Sequence, residues 1–125
     1  MLKLSKLRIK ASNPRLLKLS SLLKKAANQH DAPIWNYVRE KLTASRRRRI
    51  AVNISKINRY TSEGDVVVVP GKVLSCGTLT HKVTVAAFDF SEEALRKIEN
   101  SGCKALSIED LLKVNPEGRG VKIIV

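Results

Sequence analysis

Four consecutive valines, Val66 to Val69, constrain this chain more than any other stretch. β-branched side chains are stiff at χ1 and fit a pleated surface, and a run without polar alternation predicts a strand with both faces buried. A central strand demands covering elements on each side. The Pro70-Gly71 pair that follows fits the middle of a type II turn, where the proline ring presets φ and glycine supplies φ > 0. On that reading Lys72 is presented on a tight bend. Gly77-Thr78 is a weaker turn signal. Val83 to Phe90 reads as a second strand, apolar on both sides for most of its length, and Ser91 with Glu92 and Glu93 stops it and opens a helix.

The remaining periodicity is mostly helical. Asn13 suits an N-cap ahead of Pro14, and Leu16, Leu19, Leu22, Leu23, Ala26 and Ala27 recur at helical spacing to about Asn28. A second helix begins at Pro33 and ends near Ala44, with Trp35, Val38 and Leu42 on one face. That spacing makes Trp35 a core anchor rather than a base-stacking residue. Ile50 to Ile57 alternates as a half-buried strand, and Thr61 to Asp65 is a loop. Ser91 to Asn100 forms a helix that buries Ala94, Leu95 and Ile98 and stops at Gly102. A short strand at Ala105 and Leu106, a helix from Glu109 to Lys113, a turn at Asn115 to Gly118 and a strand from Val121 to Val125 complete the chain. The fold class is therefore α/β. A small mixed β-sheet core with covering helices in the C-terminal half (50–125) follows a basic arm and two helices (1–49), the two parts forming one structural unit.

A chain of 125 residues is about one domain and can bury roughly 65–70% of the surface it exposes when unfolded, enough to need no disulfide. Cys76 and Cys103 lie in apolar sequence with no secretory segment upstream, and read as buried free thiols in a reducing cytoplasm. No apolar run approaches the ~18 residues of a membrane span. Residues 1–10 interrupt each apolar pair with a charge, so they lack a signal-peptide core. The absence of acidic residues before Asp31 raises a transit peptide, but the segment is not arginine-rich and leads into a capped helix.

Charge is divided unevenly along the chain. Residues 1–60 hold 16 Lys and Arg against Asp31 and Glu40, a net of +14, while residues 61–125 hold 8 against 9 acidic residues, a net of −1. A surface built only for solubility mixes both signs, so a one-signed half implies a polyanionic partner, nucleic acid by default. An anionic membrane would call for an exposed apolar face with anchoring aromatics, and the only tryptophan is Trp35. The run Arg46, Arg47, Arg48, Arg49 exceeds what complementing one helix end requires and points to phosphate contact.

Several stretches together resemble the archaeal form of large-subunit ribosomal protein eighteen-e, a family akin to the C-terminal part of large-subunit protein fifteen. They are Asn13-Pro14, Ile34-Trp35, Val52 to Ile57, Val69 to Leu74 with Gly77, Val83 to Ser91, Ala94, Lys97-Ile98, Gly102, and Asn115-Pro116 with Gly118. The match runs in unbroken order through nearly the whole chain. The family often carries a second glycine where this chain has Cys103, a local departure. The resemblance implies a non-catalytic constituent of the large ribosomal subunit, cytoplasmic, with no cofactor, metal, membrane or small-molecule substrate. Its partners would be ribosomal RNA and neighbouring ribosomal proteins. Contacts are expected at Lys3, Lys6, Arg8, Lys10, Arg46, Arg47, Arg48, Arg49, Lys56, Arg59, Lys72 and Lys82, with His81 beside them. Such contacts neutralise phosphates without reading sequence, so specificity must come from the shape of folded RNA.

Other classes fare worse. The phosphate-cradling loop needs glycine five residues before Gly71 and Ser or Thr after Lys72, and both positions are valine. The acidic residues sit mostly at helix starts, and His30, His81, Cys76 and Cys103 lack ligand spacing. A DNA-binding helical regulator is the alternative, because two short helices follow one another. Its second helix would present Asn36, Arg39, Glu40 and Lys41, with its basic run past the C-terminus, whereas a recognition helix offers its N-terminal part to base edges.

Overall fold

The computed structural model describes residues 14–44 and 49–125. Two helices, α1 (Pro14–Gln29) and α2 (Pro33–Leu42), precede β1 (Ile50–Asn53), α3 (Ile54–Arg59), β2 (Val66–Leu74) and β3 (Thr84–Phe90). Then come α4 (Glu92–Asn100), β4 (Lys104–Ser107), α5 (Ile108–Val114) and β5 (Val121–Ile123). The strands form one sheet in the order β1-β2-β3-β4, with β5 also on β2. β5 pairs with Val66–Val68 and β1 with Gly71–Leu74, so these two short strands lie end to end along the same edge of β2. The α/β class holds, and the sheet is parallel in every pairing rather than mixed.

The valine run explains the layering. Val68 packs with Ala86 against Leu19, Leu23 and Trp35 of α1 and α2 and against Ile108 and Leu111 of α5. Val67 and Val69 point the other way, into a second core with Ile54, Ile57, Ala94 and Ile98 of α3 and α4. All three of these valines are fully buried. Alternate side chains of a strand face opposite sides, so a strand between two helical layers needs apolar residues at every position.

Several expectations change. Pro70 and Gly71 make no turn: β2 runs through them, and Gly71 is not among the glycines with positive φ. Instead, Pro70 and Gly71 together oppose Phe88, because Val69 pairs with Ala87 and Lys72 with Asp89, a bulge inside a continuous strand. The predicted strand from Ile50 to Ile57 breaks after Asn53, where Ile54 and Ile57, three apart, serve one face of α3 equally well. Backbone bonding settles the choice, since Ser55 N donates to Cys76 O at 2.9 Å and Cys76 N to Asn53 Oδ1 at 3.2 Å. In α4 only Ala94 and Ile98 are buried, and Leu95 is exposed. Cys103 is buried but Cys76 is exposed, and both thiols are free. The last strand stops at Ile123. Ser91 and Ser107 do cap their helices, each Oγ accepting at 3.1 Å from the N–H three residues on. Asn13 lies outside the described residues.

Arg15 fastens α1 to the sheet. Its Nη1 donates to Phe88 O at 2.6 Å, its Nε and Nη2 fork onto the Glu109 carboxylate at 3.0 and 3.1 Å, and its guanidinium lies 4.3 Å from the Phe88 ring centre. Burial pushes the Glu109 carboxyl up, but the Arg15 hydrogen bond and its own backbone N–H outweigh it, holding the carboxyl below its ordinary pKa. A lowered folded pKa means that the stabilisation is complete above the unfolded value and is lost as pH falls through the folded one. Glu109→Gln should therefore cost about 0.5 kcal/mol at neutral pH, small because the pair is partly exposed, and nothing relative to the parent well below pH ~4. Urea melts of parent and variant at both pH values measure this; a constant gap would assign the effect to packing.

Candidate nucleic-acid interface

Among the described residues the helical hairpin does not cover the whole sheet face. α1 starts at Pro14 and α2 ends at Leu42, and beyond them the C-terminal half of the face lines a cleft of about 310 Å³. Leu16, Leu42, Pro70 and Phe88 give it an apolar lining. Lys41 from the last turn of α2, Arg49 just before β1, and Lys72 just after the bulge bring three cations to it, with Asp89 as the one carboxylate among the lining residues.

These cations are not consumed by the fold. Among the described residues the ion pairs are Arg15–Glu109, Arg119–Glu117 and Lys122–Asp65, and none involves the cleft. Lys72 and Asp89 are cross-strand partners without an ion pair, and Asp89 Oδ1 instead accepts from Phe90 N at 2.9 Å. Lys41 Nζ sits 5.2 Å from the Tyr37 ring centre. Lys72 and Arg49 are exposed.

The other expected contact residues divide among separate places. Lys56 and Arg59 lie on α3, in the opposite layer, where Lys56 Nζ donates to Val125 O at 2.5 Å and Arg59 sits 5.9 Å from the Tyr60 ring centre. His81 and Lys82 precede β3, at the far end of that strand from Asp89. His81 Nε2 is 2.7 Å from Thr61 Oγ1, and the Thr61 hydroxyl already donates to Ile57 O at 2.7 Å. The ring therefore supplies the hydrogen, and the half-buried His81 ties down a loop. The Lys82 backbone N–H is held by Glu63 Oε1 at 3.0 Å, while its side chain passes over Gly102. Lys3, Lys6, Arg8, Lys10, Arg46, Arg47 and Arg48 lie outside the described residues.

Sequence reasoning passed over Lys41 as a contact, although it stands in the last helical turn, five residues before the arginine run. Asp89 had no comparable signal, since only the bulge sets it beside Lys72. Lys97 shows how a basic residue can be used up inside the fold: its Nζ donates to Ser75 O at 2.7 Å and Gly77 O at 3.1 Å.

Among the described residues no three His, Cys, Asp or Glu side chains gather to hold a metal, and no helix is long and apolar enough to cross a membrane. The N-terminal turn of α2 packs on the loop before β5, with Ile34 Cγ2 2.7 Å from where a Cβ on Gly118 would stand.

Residues 2–125 match the family model described as ribosomal protein 60S L18 and 50S L18e. The chain is 48% identical over 117 residues to large ribosomal subunit protein eL18 of Methanococcus maripaludis, covering 94% of this chain and 98% of that protein. It is 44% identical over 117 residues to the protein of the same name from Archaeoglobus fulgidus, covering 94% of this chain and all of that protein. The Methanoregula boonei protein of that name is 43% identical over 116 residues, with 93% and 96% covered.

Proposed function

This chain belongs to the family of ribosomal protein 60S L18 and 50S L18e, a family of ribosomal proteins and not of enzymes, and from that premise we propose that it binds ribosomal RNA within the large subunit through phosphate contacts. The observation that carries the reading is the convergence of Lys41, Arg49 and Lys72, free of ion pairs among the described residues, on one cleft beside the arginine run. Guanidinium and ammonium groups left unpaired on a protein of net charge +13 are poised to replace the counterions of a polyanion. Arg46 to Arg49 supply the densest charge, and Arg49, the last of them, leads directly into β1. Lys3, Lys6, Arg8 and Lys10 add further cations for phosphate, Lys56, Arg59 and Lys82 offer contacts to separate RNA elements, and neighbouring ribosomal proteins are further partners.

The test is a salt titration of binding to deproteinised large-subunit RNA. Replacing Arg46 to Arg49 by glutamine keeps long polar side chains, so folding should change little, while the slope of log affinity against log salt should become shallower by about 2–3 if three or four phosphates are contacted. Four lysines should keep most of that slope but weaken binding at any one salt concentration, because the planar fork is lost. Parent-like slope and affinity for the glutamine variant would exclude the run as the anchor.

A further inference from the structure

We propose that the cleft bounded by Lys41, Arg49 and Lys72 takes a single unstacked RNA nucleotide, its base on the apolar lining and its phosphate on the cationic rim; this deepens the RNA-binding reading above and rests on it. Phosphate contact alone explains the cations but not what lies between them. Backbone contact needs only an exposed cationic surface, whereas here three cations flank a recess lined by Leu16, Leu42, Pro70 and Phe88. Burial of a flat, weakly hydrated ring suits that lining, and stacking or burial of splayed bases is how proteins hold single-stranded elements of folded RNA.

Size and charge narrow the occupant. A volume of about 310 Å³ lies at the lower end of the ~300–1,000 Å³ typical of small-ligand sites, room for one nucleotide and not for a duplex. Three cations against one carboxylate favour an occupant that carries its own anion next to its apolar part, as a nucleotide does and an apolar protein side chain does not. Asp89 completes the set. One of its oxygens is held by Phe90 N, and the other is left to accept a ring or amino N–H of a base.

The test uses the full chain with deproteinised large-subunit RNA. Ultraviolet crosslinking of the unmodified protein, followed by mass spectrometry, should place a crosslinked nucleotide on Phe88 or on the Pro70 to Lys72 segment. Ala51, exposed on β1 and lining the cleft, provides the matching substitution. Ala51→Leu fills the recess without altering charge, so it should weaken binding about tenfold, within the range for one stacked base, while keeping the parent's salt slope. If Ala51→Leu misfolds by circular dichroism, the crosslink position in the unmodified chain decides alone. Crosslinks confined to residues outside the cleft overturn the proposal, as does parent-like affinity of a folded Ala51→Leu; both leave RNA binding intact. Failure of the unmodified chain to bind this RNA overturns the broader reading as well.

Discussion

Trp35→Ala should lower stability by about 4 kcal/mol, near the middle of the range for removing a buried aromatic side chain. The residue is completely buried on α2, in the same core as Leu19, Leu23 and Val68. Its Nε1 donates to Pro116 O at 2.7 Å, and Gly118 lies so close that a Cβ there would come within 3.4 Å of the ring. Truncation would therefore open a cavity and free the turn that leads into β5. Trp35→Phe keeps a ring and loses the hydrogen bond together with part of the volume, and should cost about 1–3 kcal/mol. Denaturant titrations of both variants check this. Equal losses would mean that the indole is held by its hydrogen bond rather than by its bulk.

Gly71→Ala should cost about 3 kcal/mol, at the upper end for an overpacked site, and Gly71→Val at least as much. A Cβ at this position would overlap the Ile50 carbonyl oxygen and approach its carbon to 2.8 Å. That oxygen belongs to backbone in the β1–β2 pairing, where Ile50 faces Gly71, so it cannot swing aside as a flexible side chain would. Since the first added atom makes the clash, alanine should already carry most of the loss. The β1 edge and the placement of Arg49 would suffer with it, so RNA affinity of the folded fraction should also fall. Thermal melts that leave Gly71→Ala within ~0.5 kcal/mol of the parent, the usual scatter of harmless substitutions, would show that the strands do not approach this closely.

Legibility followed the range of the interactions. The α2 stripe, the valine stretch that opens β2 and the serine cap of α4 depend on residues a few positions apart and are legible from spacing, whereas Leu22, which the same spacing sets with the α1 stripe, is exposed. Pro70-Gly71 was read for its most common local use, but the glycine is required by a strand some twenty residues away in sequence. Ile50 to Ile57 offered a short apolar pattern that fits both periods, and backbone bonding to Cys76 decided for a helix after Asn53. Leu95 stands at an acceptable helical position, yet α4 rests on the sheet through Ala94 and Ile98 alone. Of the expected contact residues that are described, only Arg49 and Lys72 share a cleft, joined by Lys41.

By itself the sequence determined that this chain is α/β, that the Val66 to Val69 stretch is a strand covered on both faces, with only Val66 left half-buried by the fold, that its charge is concentrated before residue 61, and which family it resembles. These are properties of composition, of local periodicity and of ordered motifs, and none requires knowing which distant segments meet. Tertiary structure alone decided that every strand pairs parallel, that β1 and β5 share one edge of β2, and that a bulge sets Lys72 beside Asp89. It also decided which cations remain available, because whether Arg15, Lys97 or Lys122 is engaged depends on carboxylates and carbonyls many residues away. Parallel pairing and long-range ion pairing join segments separated by whole elements, and a charge or a turn signal read along the chain carries no record of what the fold will bring opposite to it.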